Sequence, residues 1–489
     1  MREDWVEVEL GSLSKYIIGG DWGKAPDYED DNFEFAYCIR GAEFKNWQKD
    51  KGRTASLRKI KKNSTEKREL KVGDILIEIS GGGPEQPVGR TVLISNSCLI
   101  NLKKYKIVCT NFLRLFRPKE YVNSKWLNTY LIFFYHSGEV VKYQGGSNNL
   151  RNLKFRNYTT IKIPTAPLPE QRAIVSKIEQ LFSELENGIA NLKAAKDKLE
   201  IYRQAVLKKA FEGELTKEWR EKNYSKDAKE EDLPEGWTWM KLEKLSDFIT
   251  KGTTPKKDKL NNKNATIPFI KVYNLTHTGE LDFSINPTFV DEETHKNFLR
   301  RSIVKPGDIL MNIVGPPLGK VSIVPSGFDE WNINQAIVRY RPLDMLKPKY
   351  LMHYLLSYIT INNISKKAKA TVGQFNLTLE ICRNTEIPLP TLPEQTQIVQ
   401  KIETRLSVCD NILANIEEGL EKSEALRQSI LKKAFEGKLL SETELKACRK
   451  EPDWEPAEKL LKRIQGEKTE KQTVAKKATV RKFRTNQQS

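Results

Sequence analysis

Apolar positions recur along this chain at two different periods. Over residues 168–213 they follow a heptad: Ile178, Leu185, Leu192, Leu199 and Val206 stand seven apart, with Val175, Phe182 and Ile189 at the alternate position. Such spacing keeps one apolar seam facing one partner helix. Over residues 392–437, Val399, Ile402, Leu406, Leu413, Ile416, Leu420, Leu426 and Ile430 form an equivalent stripe. Pro169 and Pro393 sit where a first helical turn tolerates proline, each followed by a Glu that suits the positive end of the helix dipole. About 40 helical residues at 1.5 Å each span roughly 60 Å, too long to hide in one small domain. Pairing the two stripes, antiparallel since each follows a globular stretch, buries both. Two separate surface helices, each packed on its own domain, are the other arrangement open at this stage.

Elsewhere the period shortens. Ile75-Leu76-Ile77, Thr91-Val92-Leu93-Ile94, Ile107-Val108 and Phe112–Phe116 are short apolar runs bounded by turn residues, as strands require, and Ile309–Met311, Val321–Val324 and Ala336–Tyr340 repeat the theme. Helical patches are predicted at Lys125–Tyr135 and Lys349–Tyr358. These parallels belong to one internal repeat. Residues 168–213 match 392–437 without a gap, at 24 of 46 positions. Asn152-Leu153 and Arg117-Pro118 match Asn376-Leu377 and Arg341-Pro342, and Gly73-Asp74-Ile75-Leu76 matches Gly307-Asp308-Ile309-Leu310. The whole unit, globular part then helix, is therefore doubled. The expected organisation is an α+β chain: a β-rich domain over 1–165, a helix and its exit over 166–221, a linker over 222–236, a second β-rich domain over 237–389, a helix over 390–440 and a polar tail over 441–489. That tail holds a possible helix at Glu455–Gln465 and a basic end expected to be disordered.

Charge narrows the function. The 489 residues carry 82 Lys and Arg against 64 Asp and Glu, a net charge of +18, which favours a polyanionic partner, nucleic acid before a membrane surface. No apolar run approaches the roughly 20 residues of a membrane span. Met1–Leu10 is acidic and lacks an apolar core, so no secretory signal is predicted. Six cysteines without a CxxC pair, and four histidines without metal spacing, exclude a disulfide scaffold and a zinc module; a reducing cytoplasm fits.

No nucleotide, metal or methyl-transfer signature appears, so no catalytic residue is expected. Ile313–Lys320 resembles a phosphate loop but has three residues between its glycines rather than four, and no Ser or Thr after Lys320. Together with Arg90 after Gly81-Gly82-Gly83, it reads either as a glycine turn presenting a cation in both units or as a plain structural turn. Residues 45–71 hold eleven basic side chains against three acidic ones, among them Lys51, Arg53, Arg58, Lys59, Lys61 and Lys62. A loop this basic is a candidate phosphate track. Lys256, Lys257, Lys271 and Asn274 are the counterparts in the second unit, and Asn332, Gln335 and Gln374 have the amides that base edges pair with.

Two globular units, each followed by a helix opening LPEQ and closing LKKAFEG, with GDIL before a glycine turn and FEGELTKEWRE after the first helix, resemble the specificity subunits of type I restriction–modification enzymes. The resemblance covers nearly the whole length. It implies two target-recognition domains in pseudo-two-fold tandem repeat, each reading half of a bipartite double-stranded DNA site, with the helices forming an antiparallel coiled coil that sets the half-site spacing. It also implies partners: two modification subunits that transfer methyl from S-adenosylmethionine to adenine, and restriction subunits that use ATP and Mg2+, with no cofactor in this chain. The tail after Leu440 has no counterpart in that pattern. A helical scaffold presenting two heads to protein partners is the alternative reading.

Overall fold

In the computed structural model, residues 2, 4–83, 86–146, 151–224, 233–315, 317–371 and 374–466 are described, with side chains left out at 369–371, 374 and 375. The chain divides into two compact units, Met1–Ala190 with Leu420–Ser489, and Asn191–Gly419.

In the first unit a four-stranded antiparallel sheet runs in the order Ser14–Gly19, Leu113–Pro118, Ile75–Glu78, Thr91–Leu93. Its central strands are near-continuous apolar runs because both faces are covered. Ile75, Ile77 and Phe116 pack with Trp126, Leu127 and Leu131 of the helix Ser124–His136, while Leu76, Val92, Leu113 and Leu115 pack with Trp47 and Ile107. A smaller mixed sheet has Phe33–Ile39 at its centre, antiparallel to Ser56–Lys61 and parallel to Lys106–Cys109. Val6–Glu9 pairs with Lys162–Thr165, tying the start of the chain to the strand before the first long helix. The stretch 45–71, expected as a loop, is folded: a helical turn at Trp47–Asp50, the strand Ser56–Lys61 and a helix at Lys62–Arg68.

The second unit repeats this order with Thr250–Lys251, Ile337–Tyr340, Ile309–Asn312, Val321–Ile323, and its Thr238–Lys241 pairs with Glu386–Leu389. The motifs shared by the two copies prove structural. Arg117 grips Asp74 through two bonds of 2.7 Å, and Arg341 grips Asp308 at 2.8 and 2.7 Å, both aspartates being buried. The LPEQ segments act as pegs. Gln171 Oε1 accepts from the Asn123 amide and Gln395 Oε1 from the Lys347 amide; Glu170 accepts from the Trp5 indole and Glu394 from the Trp237 indole, each at 2.9 Å. These carboxylates do more than face a helix dipole: they are buried acceptors.

The two long helices, Leu168–Phe211 and Leu392–Phe435, pair within each unit. In the first unit, Arg427 bonds Glu186 at 3.4 Å and lies 4.6 Å over the Phe182 ring. In the second, Lys196 bonds Glu417 at 2.9 Å and Arg203 bonds Asp410 at 2.5 Å. Numbers rise along one helix as they fall along the other, so the pair is antiparallel. Ile178, Val206, Ile402, Leu406, Ile416 and Ile430 are buried, and Leu185, Leu192, Leu199, Leu413 and Leu420 are half-buried, as a two-helix seam leaves them. One expectation fails. Leu426 is half exposed, and Arg427 takes the seam position because Phe182 and Glu186 meet its guanidinium. Cys409 and Ser423, both buried, complete the stripe.

The end of each helix plugs the globular part of the other repeat. Phe435 packs on Trp126, Tyr130 and Phe133, with ring centroids 6.2, 5.0 and 5.5 Å away. Phe211 does the same against Tyr350 and Tyr354, at 5.3 and 5.1 Å. Two boundaries also shift. Residues 222 and 223, read as linker, finish the helix Lys217–Asn223. The polar tail is folded as far as residue 466: Leu445 and Cys448 of the helix Glu442–Cys448, and Leu460 and Ile464 of a helical stretch over 457–466, are buried in the first unit. The basic end lies outside the described residues. All six cysteines are buried and free.

His353 is enclosed in the second unit, and neither ring nitrogen has a partner among the described residues. Burial pushes its pKa down to about 4 from an ordinary 6.5. A depressed histidine favours the fold above the unfolded pKa and loses that contribution as pH falls, because the unfolded chain takes the proton first. Stability of the second unit should therefore drop by up to about 3 kcal/mol, at 1.36 kcal/mol per unit, as pH falls from 7 toward 4. Denaturant titrations across that range check this, and His353→Leu should flatten the dependence.

Candidate nucleic-acid interface

The structure sorts the candidate DNA-contacting residues by what their side chains already touch. Arg53 is exposed, with no side-chain partner among the described residues, and Lys62, Lys256 and Lys257 are likewise exposed. Lys51 has a left-handed backbone at the end of the turn Trp47–Asp50 and donates to Gln48. Gln335 is exposed, and its amide oxygen accepts from the Thr254 hydroxyl.

Other candidates are committed to the fold. Arg58 stacks 4.2 Å over Trp22 and donates to the Trp22 carbonyl. Arg90 is held by Glu78, 2% exposed, and by the Gly41 carbonyl, so the glycine turn of the first unit uses its cation internally. In the second unit Asn312 sits on the corresponding strand, and the half-buried Lys320 has no carboxylate partner among the described residues. Asn274, placed with the basic track of the second unit, and Asn332, offered as a base reader, are corrected. Asn274 is buried and makes bonds to the Lys271 amide and to the Asp282 and Ile285 carbonyls. Asn332 is fully enclosed, its oxygen against His295 at 2.8 Å. Lys271 leans over Tyr273 at 5.9 Å. The side chain of Gln374 lies outside the described residues.

Lys59 and Lys61 belong to a feature that sequence reading missed. On the central strand Phe33–Ile39, Phe33, Phe35 and Tyr37 alternate onto one face, with Lys61, Lys59 and Leu57 opposite them on the neighbouring strand and Tyr105 beside them. Lys59 lies 4.0 Å over Phe35, Lys61 lies 5.9 Å over Phe33, and Lys104 lies 5.2 Å over Tyr105. The period-2 aromatics of FEFAYCI were the available signal. The second unit has an aromatic cluster of another kind: Phe283, Phe289, Phe328 and Trp331 pack edge to face on one another.

Among the described residues no cluster of His, Cys, Asp or Glu could hold a metal ion, and no helix is long and apolar enough to cross a membrane. A family model for the type I restriction modification DNA specificity domain matches twice, over residues 2–194 and 234–422. The type I restriction enzyme EcoBI specificity subunit of Escherichia coli is 28% identical over 320 residues, 63% of this chain and 66% of that one. The EcoKI specificity subunit of Escherichia coli strain K12 is 24% identical over 449 residues, 90% of each chain. A chain from a structure addressing complex assembly and conformational transition of the type I R-M system has the same fold, with a TM-score of 0.64 at 20% identity, over 90% of this chain and 99% of that one.

Proposed function

This chain belongs to the type I restriction modification DNA specificity family, and on that premise we propose that it selects the DNA site for methylation and cleavage carried out by other subunits. Residues 1–165 and 237–389 act as two target-recognition domains, each reading one half of a bipartite duplex site. The observation that carries this is the repeat of one sheet order on two frames whose loops differ: a shared frame meets the duplex in a similar way twice, and diverged loops read different bases. Arg53, Lys62, Lys256, Lys257 and Lys320 supply exposed or half-exposed cations for phosphates.

The helix pair sets the spacing of the half-sites and docks two modification subunits. Supporting this, the middle of the seam stays half-buried, and Tyr202, Val408 and Ile412 of the second unit are exposed apolar residues on paired helices. Restriction subunits join the complex, S-adenosylmethionine, ATP and Mg2+ are bound by these partners, and the chain itself catalyses nothing.

The test is an exchange. Replacing residues 1–165 with the equivalent part of a relative of different specificity should change one half of the methylated motif in cells carrying the full system and leave the other half intact. Both halves changing together, or neither, would count against separate reading.

A further inference from the structure

We propose that the aromatic and basic face of the small sheet in the first unit binds single-stranded DNA, a strand whose bases have left the stack. The proposal rests on the DNA reading above for the identity of the polyanion, and goes beyond duplex recognition.

Three observations carry it. The rings are presented rather than stored: Phe33, Phe35, Tyr37 and Tyr105 are half-buried, while the opposite face of the same sheet holds the small core of Ala36, Cys38, Ile60 and Val108 under Trp22. Each of three rings also carries an ammonium group, and none of those lysines, Lys59, Lys61 and Lys104, has a carboxylate partner among the described residues. Lys106, on the other face, does have one, Glu34 at 2.9 Å. An ammonium resting on a ring can exchange that contact for a phosphate when a base takes the ring, since its stem is flexible and its charge is otherwise unmatched.

Spacing then chooses between a duplex and a single strand. Phe33 and Phe35 are two residues apart on a strand, about 6.7 Å. Bases stacked in a duplex rise about 3.4 Å and hide their faces from any side chain. Rings at twice that interval suit an extended strand whose bases stack on protein instead of on each other. The site is also bounded. Asp27, Glu29, Asp30 and Asp31 precede Phe33 and repel phosphate at that end, whereas Lys103 and Lys104 lie at the Tyr105 end, so the strand runs from Phe33 toward Tyr105. The aromatic cluster of the second unit has no lysine over its rings among the described residues, so this function belongs to the first unit alone.

The test uses the purified full chain and a fluorescent oligothymidylate of about ten nucleotides, a length within the range of single-strand sites on β folds. Binding should be salt-sensitive. Phe35→Leu should weaken it about tenfold with the salt slope unchanged, and Phe35→Tyr should restore it. Lys59→Gln with Lys104→Gln should weaken it and lower the log–log salt slope by about two, one for each phosphate contact. The lysine pair tests the proposal even if Phe35→Leu disturbs the fold. No binding of the oligonucleotide by a chain that still binds its duplex would sink the platform and leave the duplex reading intact. Oligonucleotide binding in a chain whose domain exchange fails to alter the methylated motif would do the reverse. Protection of Lys59 and Lys104 from acetylation by the modification subunits without DNA would mean that the face is a protein interface, and would overturn the proposal.

Discussion

Arg341→Ala should destabilise the second unit by about 3–5 kcal/mol, since it leaves the buried Asp308 carboxylate without its cation. The two groups meet side-on through paired bonds of 2.8 and 2.7 Å, and Asp308 also accepts from the Lys305 amide at 2.8 Å. Asp308 is 2% exposed, so water cannot replace the guanidinium. Arg341→Lys should recover little, because an ammonium cannot fill both carboxylate oxygens in one plane. The first unit carries the same pair in Arg117 and Asp74, and Arg117→Ala should cause a similar loss there. Denaturant unfolding of both variants measures the effect. A loss below about 1 kcal/mol, the range of exposed pairs, would mean that the pair is dispensable.

Leu192→Pro should abolish assembly with the modification subunits. Proline removes the amide hydrogen from position 192 and drives its ring against the carbonyl one turn earlier, costing about 3 kcal/mol or more. The position lies in the seam of the second unit, where the Leu192 side chain faces Gly419; a Cβ placed at Gly419 would stand 3.3 Å from it. Leu192→Ala removes the same side chain but keeps the helix, and should weaken assembly without abolishing it. Gel filtration of the variants with modification subunits, beside far-ultraviolet circular dichroism, separates the two. Normal assembly of the proline variant would argue that the paired helices are not the docking platform.

The two periods of hydrophobicity make the helices, the repeat and most strands legible from sequence alone. What was not legible has a common cause: the residues concerned are polar, and polarity does not say which neighbour a group faces. Arg427 takes a seam position that heptad reading assigned to Leu426, because a guanidinium can lie on a ring while bonding a carboxylate. Asn274 and Asn332 have the amides that would suit base edges, and the same amides serve equally well inside a buried network. The charge density of residues 45–71 was plain, but its division between two faces of a strand, Arg58 inward on Trp22 and Lys59 outward on Phe35, depends on a register only the pairing reveals.

The reciprocal plugs of Phe435 and Phe211 bear on the ancestry of the chain. Each repeat carries a plug that fits the other repeat's socket, and each compact unit borrows helix from both halves of the sequence. An ancestor half this length would have had a socket and a plug but no way to join them within itself. Two identical copies would have satisfied each other, giving a symmetric homodimer suited to a palindrome. Fusion of two such genes keeps every contact and removes the constraint that both heads be the same. From then on the heads could drift apart, while the pegs, LPEQ, and the plug segments, LKKAFEG, are the parts the two repeats still share to the letter.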